Sequence, residues 1–283
     1  MAPLTEPRDA VLALRGFRLH YVEWGNPAAP PLVLLHGITG HARTWDTLAV
    51  ALAADRRVIA LDQRGHGDSD PAPDGDYSVG AMADDLGAFA DALGLATFSL
   101  LGLSMGGRVA MGFAGAHPSR VERLVIVDIA PDIHPPGMAR IRTMIANAPE
   151  AIASEEWAVE TAMAANPRAD VGELRHRIKH ALRREPDGTL TWKYARDLRE
   201  MMRRGGRREP MDLWERLTHI TCPTLVVRGA ESDVLSPELA LRVIAALPDG
   251  RLVEVPDAGH TVPGDQPAAF VDVARRFLAG RTR

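Results

Sequence analysis

A largely parallel α/β sheet covered by helices on both faces is the fold class that this 283-residue chain predicts. Three observations predict it. Short apolar runs of strand length alternate with stretches of helical periodicity, the pattern of parallel strands buried between two helical layers. One of those runs leads straight into a glycine-flanked serine and then a helix. The alternation also breaks off after Asp128 and resumes only at Thr224.

Residues 10–15 and 17–24 read as two short strands bent at Gly16, and Gly25-Asn26-Pro27 closes the second. Leu32 to Leu35 reads as a buried strand running into His36-Gly37-Ile38-Thr39-Gly40. Trp45, Leu48, Ala49 and Leu52 then recur at helical spacing, with Thr44 placed as an N-cap. Val58 to Leu61 is the fourth strand, ending in Asp62-Gln63-Arg64-Gly65-His66-Gly67-Asp68-Ser69. Val79, Met82, Leu86, Phe89 and Leu93 step along one helical face behind Ser78 as cap. The run Phe98 to Leu103 is the fifth strand, Val109 to Ala116 a helix stopped by Pro118, and Leu124 to Asp128 the sixth strand.

From about His134 to Pro210 only helical periodicities follow: Val171, Leu174, Ile178 and Ala181 make one stripe, and Tyr194, Leu198 and Met201 another. Strands return at Thr224–Val227 and Leu252–Val255, with a helix between them capped by Ser236 and opened by Pro237, and a last helix carries Phe270, Val273, Ala274 and Phe277. The expected division is therefore a core of residues 1–133 and 211–283, with a helical cap, 134–210, inserted after the sixth strand.

Composition narrows the function classes. A hydrophobic content of 46% and a mean hydropathy of −0.10 suit a globular protein, and no 18-residue apolar run exists to span a membrane. Met1 to Arg15 lacks the apolar stretch of a signal peptide, so a cytoplasmic location is the default expectation. A net charge of −4 gives no general reason to expect nucleic acid, and the basic run Arg203-Arg204-Gly205-Gly206-Arg207-Arg208 reads as a solvated loop. The single cysteine, Cys222, rules out an internal disulfide and a multi-cysteine metal site, and reads as a small buried side chain.

The candidate chemistry centres on Gly102-Leu103-Ser104-Met105-Gly106. A strand turning sharply into a helix strains the residue between them, and glycines on either side remove the β-carbons that would collide. Ser104 is thereby held out at the carboxyl end of the sheet as a nucleophile. A serine hydroxyl needs a base, and the base needs a third group to orient it. His260, in the turn-rich loop Pro256–Pro263 after the last strand, is the expected base. Asp233, in Gly229-Ala230-Glu231-Ser232-Asp233, is the preferred acid, with Asp128 and Glu231 as competitors.

The order Ser, Asp, His with this elbow resembles the α/β-hydrolase family over nearly the whole chain. The matching motifs are His36-Gly37-x-x-Gly40, Asp62-x-Arg64-Gly65-x-Gly67-x-Ser69, Gly102-x-Ser104-x-Gly106, Gly229-x-x-x-Asp233 and Gly259-His260. The resemblance implies a doubly wound sheet and an oxyanion hole formed by the backbone N–H groups of Met105 and Ile38. It implies a structural role for Arg64 and assigns no catalytic part to His66. A serine at the elbow disfavours the haloalkane dehalogenase and epoxide hydrolase branches, which carry aspartate there.

Hydrolysis of a carboxylic ester through an acyl-Ser104 intermediate is the leading expectation, with no metal and no cofactor required. The same three residues also serve lactone or enol-lactone cleavage, β-diketone carbon–carbon cleavage and cofactor-free perhydrolysis. A non-catalytic small-molecule receptor is the alternative of a different class. The partner expected is a small ester or lactone. Met138, Met144, Met163, Met201, Met202, Trp157 and Trp192 fall in the inserted block, and Met144 and Trp192 are taken as candidate walls of the substrate pocket.

Overall fold

The computed structural model describes residues 4–204 and 211–280. The Met202 side chain and the Gly205-Gly206-Arg207-Arg208 part of the basic run lie outside the described residues. In chain order the core strands are β1 (Leu4–Leu14), β2 (Phe17–Gly25), β3 (Pro31–Leu35), β4 (Arg57–Leu61), β5 (Phe98–Leu103) and β6 (Val121–Val127). Between β6 and the next core strand stand β7 (Leu182–Arg184) and β8 (Leu190–Trp192), and the sheet is completed by β9 (Thr224–Gly229) and β10 (Gly250–Val255). The eight core strands form one sheet in the order β1-β2-β4-β3-β5-β6-β9-β10. Only β1–β2 and β2–β4 pair antiparallel; the other five pairings are parallel.

The strand sequences explain why both faces are covered. β3, β5 and β9 are buried almost along their whole length, so alternate residues must find apolar partners above and below. Val33, Leu35, Ile59, Leu61, Leu100, Ile126 and Val226 face one layer, made by α2 (Val79–Ala92), α3 (Met105–Ala116), α8 (Leu213–Thr218) and α9 (Pro237–Ala246). Leu32, Leu34, Val58, Ala60, Leu101, Val125 and Val227 face the other, made by α1 (Asp46–Leu52) and by α11 (Pro267–Leu278), which follows the short α10 (Val262–Asp265). The Ser78 and Ser236 side chains cap α2 and α9 as expected. Thr44 does not cap α1: residues Ala42–Trp45 form a 3₁₀ turn, and the helix starts only at Asp46.

The block between β6 and β9 carries α4 (Pro135–Ala146), α5 (Glu155–Ala165), α6 (Val171–Ala181), the β7–β8 hairpin and α7 (Arg196–Arg203). The hairpin corrects the expectation of a strand-free block. Its turn is Pro186-Asp187-Gly188, with Gly188 at φ 88° and the Asp187 carboxylate accepting from Thr189 N–H. That is a turn-forming triplet readable in the sequence. The block is not uniform. Ile152, Ala158, Val159, Leu174, Ile178 and Leu182 make a small core of its own, whereas Ile141 and Ile145 of α4 and Leu198 of α7 join the main core. Among the described residues no helix is long and apolar enough to cross a membrane.

Candidate active site

Ser104 stands between β5 and α3 at φ 53°, ψ −117°, a conformation that side-chain-bearing residues rarely adopt. Two glycines make it possible. A β-carbon on Gly102 would collide with the backbone of Gly106, and one on Gly106 would collide with the Leu35 and His36 carbonyls. Gly106 N–H donates to His36 O at 3.1 Å, which fastens the elbow to the end of β3.

The Ser104 hydroxyl lies 3.0 Å from His260 Nε2, and His260 Nδ1 lies 2.8 Å from Asp128 Oδ2. The preference for Asp233 is corrected here: the carboxylate on the imidazole is Asp128. Asp128 follows β6 directly, at φ 50°, and has no solvent exposure. Gly229 N–H donates to its Oδ1 at 2.9 Å and Ser232 Oγ–H to its Oδ2 at 2.5 Å. An ionised carboxylate only accepts, so the imidazole presents N–H at Nδ1 and a lone pair at Nε2 toward the serine hydroxyl. Asp233 is occupied elsewhere. Arg140 of α4 holds both its oxygens, at 2.6 and 2.8 Å, and this guanidinium keeps the Asp233 carboxyl below the usual carboxylate range. Glu231 likewise pairs with Arg168.

Beside the serine, the loop after β3 folds into a tight turn closed by Gly40 N–H to Gly37 O at 3.0 Å. Ile38 and Thr39 are its central residues, Thr39 at φ 61°. A β-carbon on Gly37 would lie 3.3 Å from Ser104 Cβ, so this turn lies against the nucleophile. Met105 opens α3, where first-turn N–H groups have no partner inside the helix.

His36 secures the turn: it donates from Nδ1 to Gly37 O at 2.8 Å and accepts Gln63 N–H at Nε2 at 3.0 Å. This pattern needs the neutral ring, and complete burial, with the second imidazole of His66 close by, lowers its pKa to about 3. Asp62 accepts from Ala42 N–H, Asp68 N–H and His20 Nδ1, and Arg64 forks onto buried Asp85 at 2.5 and 2.8 Å. The motif Asp62–Ser69 thus ties loops together.

The inserted block meets the loops at the carboxyl ends of the parallel strands. Arg177 O accepts from His41 Nε2, Ala195 N–H donates to Gly65 O, Asp170 N–H to Gly264 O, and Gly137 N–H to Asp233 O. Ser104 is only 6% exposed. Met144, expected to line the pocket, instead turns outward on α4 at 47% exposure, because Ile141 and Ile145 take the buried face. Trp157 is also largely outward. Trp192 sits in β8, stacked on Tyr194 at 6.4 Å, and lines a cavity of about 390 Å³ together with Gly65, Asp68, Tyr194 and Arg199. Met201 packs into the same cluster as Ile38 and Met105. Sequence reasoning missed Ser232, whose only signal was its place one residue before Asp233.

Comparison with known proteins agrees with this architecture. A family model described as alpha/beta hydrolase fold matches residues 30–267. The chain is 34% identical over 270 residues to the sn-1-specific diacylglycerol lipase ABHD11 of Mus musculus, covering 90% of this chain and 83% of that one. It is 32% identical to a 3-hydroxybutyrate-oligomer hydrolase of Cupriavidus necator, covering 93% of each. Among solved structures, an alpha/beta hydrolase from Novosphingobium aromaticivorans superposes with a TM-score of 0.85 at 30% identity, over 100% of both chains. E-2-(acetamidomethylene)succinate hydrolase superposes at 0.88 with 24% identity, over 97% of this chain and 100% of that one, a likeness of fold alone.

Proposed function

Because the chain belongs to the alpha/beta hydrolase family, we propose that it is a serine hydrolase cleaving a carboxylic ester through an acyl-Ser104 intermediate. The observation that carries this reading is the unbroken line of hydrogen bonds from Ser104 Oγ through His260 to buried Asp128. His260 takes the hydroxyl proton at Nε2 as Oγ attacks the carbonyl carbon. Asp128 holds the ring in the required tautomer and stabilises the imidazolium that forms. The carbonyl oxygen, now negative, accepts from the Met105 and Ile38 N–H groups, each such donor contributing roughly 3 kcal/mol to the transition state. His260 then gives its proton to the leaving alcohol, the acyl-enzyme remains, and the same nitrogen takes a proton from water for the second attack.

The two curated relatives are named for a diacylglycerol lipase and a hydroxybutyrate-oligomer hydrolase, and both names denote ester hydrolysis. That supports an ester as the bond cleaved here. The block 134–210 acts in this reading as a lid. With Ser104 at 6% exposure, a substrate reaches Oγ only when the contacts of that block with the strand-end loops part.

Turnover of p-nitrophenyl esters of graded acyl length tests the proposal, alongside labelling by a fluorophosphonate. Ser104→Ala removes the nucleophile, so kcat falls by on the order of 10⁶ and labelling disappears while the thermal melt is kept. A variant retaining a tenth of wild-type turnover contradicts the assignment.

A further inference from the structure

Helices α6 and α1 meet across the seam between the inserted block and the core. Helix α6 presents His176 and His180 one turn apart on a single face, their rings 4.7 Å between centroids. Facing them from the first turn of α1 is Asp46, whose Oδ2 lies 2.8 Å from His176 Nε2. One ligating atom from each of the three lies within 4.8 Å of the other two. Asp46 Oδ1 is buried and has no hydrogen-bond partner, an unusual condition for a carboxylate oxygen. We propose that Asp46, His176 and His180 form a binding site for a divalent transition metal ion of the zinc class, joining the inserted block to the core.

Two imidazoles and a carboxylate are a ligand set suited to zinc, cobalt or nickel, and they leave a coordination position for water. The spacing fits. Ligand atoms each about 2.1 Å from one ion stand about 3–3.5 Å apart in a tetrahedral arrangement, so a rotamer adjustment closes the present separations.

Two of the charged side chains beside the cluster, Arg43 and Glu173, have partners of their own. Arg43 is the nearest cation on the core side, 3.5 Å from Asp46 Oδ2, but its guanidinium is also held by Asp9 at 2.5 Å. Glu173, one turn earlier on α6, is engaged by Thr47 at 2.5 Å and stays outside the ligand set. The cluster is separate from Ser104, His260 and Asp128, so the site stands whether or not the chain is an esterase.

The test is isothermal titration of the full chain with zinc, with the thermal melt followed beside it. The expected result is one zinc bound per chain and a higher melting temperature. His180→Asn and Asp46→Asn should each weaken binding by at least roughly 100-fold, more than loss of an outer-shell partner costs. His260→Gln should leave it unchanged. Should His180→Asn fail to fold by circular dichroism, Asp46→Asn and His176→Gln carry the same comparison, with cobalt(II) ligand-field absorption as a second readout. The proposal is overturned if wild type shows neither heat nor a shift of the melt. It is equally overturned if folded variants keep wild-type affinity, or if His260→Gln abolishes binding.

Discussion

At the end of β6, Asp128 has no solvent exposure and accepts a backbone N–H, a serine hydroxyl and an imidazole N–H. Four residues past the end of β9, Asp233 is about a third exposed and both its oxygens are taken by the Arg140 fork. The two carboxylates lie near the same histidine and differ in what neutralises them. Asp128 has no guanidinium or ammonium partner among the described ion pairs, so an imidazolium forming on His260 is its natural counter-charge. Asp233 already has a cation and serves to fasten α4 to the loop. A buried carboxylate held only by neutral donors is suited to chemistry, and a forked surface pair to attachment.

Substitutions sharpen that contrast. Asp128→Asn should have the largest effect, since an amide favours the wrong tautomer of His260: kcat for p-nitrophenyl acetate should fall by about 10⁴ with the substrate KM little changed. Ser232→Ala removes one donor to Asp128 and should cost roughly ten- to a hundredfold in kcat, as loss of a hydrogen bond to a charged group does. Asp233→Asn should lower turnover by no more than about fivefold, the worth of a partly exposed pair. A larger loss in Asp233→Asn than in Asp128→Asn, at equal melting temperature, would reverse the comparison.

The inserted block offers a smaller contrast of the same kind. Met201 packs against the same large core cluster as Ile38 and Met105, while Met144 faces outward. Met201→Ala should therefore shift preference between adjacent acyl lengths by about fourfold, the worth of one buried CH₂, and Met144→Ala should leave the profile flat. An equal response from both would remove the inserted block from substrate selection.

Acid should expose the neutral histidines under the sheet edge. The folded-state pKa of His36 is depressed to about 3 and that of His41 to about 4, against about 6.5 unfolded. Below about 6.5 the unfolded chain binds protons that the fold excludes, so their stabilisation is complete above that pH and is lost progressively as pH falls toward 4 and then 3. The melting temperature should drop across this window, and less steeply in His36→Gln.

Much of this was legible because it is local. The apolar runs fix which strands are buried, and Gly102 and Gly106 announce the strained serine through a turn that no side chain could occupy. His260 is readable as the histidine in the last strand's loop. The choice between Asp128 and Asp233 is not local. It turns on Arg140, 93 residues before Asp233, and on a φ of 50° at Asp128, neither of which leaves a mark in the periodicity. Met144 was misjudged for a similar reason: two isoleucines on the same helix won the buried face. The β7–β8 hairpin, by contrast, was readable from Pro186-Asp187-Gly188, although its strands are only three residues each.

The claim that Asp128 orients His260 is tested most directly by proton NMR of the imidazole Nδ1–H in water. A ring N–H donated to a buried carboxylate gives a strongly deshielded, slowly exchanging resonance, and its assignment to His260 follows from its absence in His260→Gln. That resonance should persist in Asp233→Asn and vanish, or move far upfield, in Asp128→Asn. Persistence in Asp128→Asn together with loss in Asp233→Asn would contradict the account.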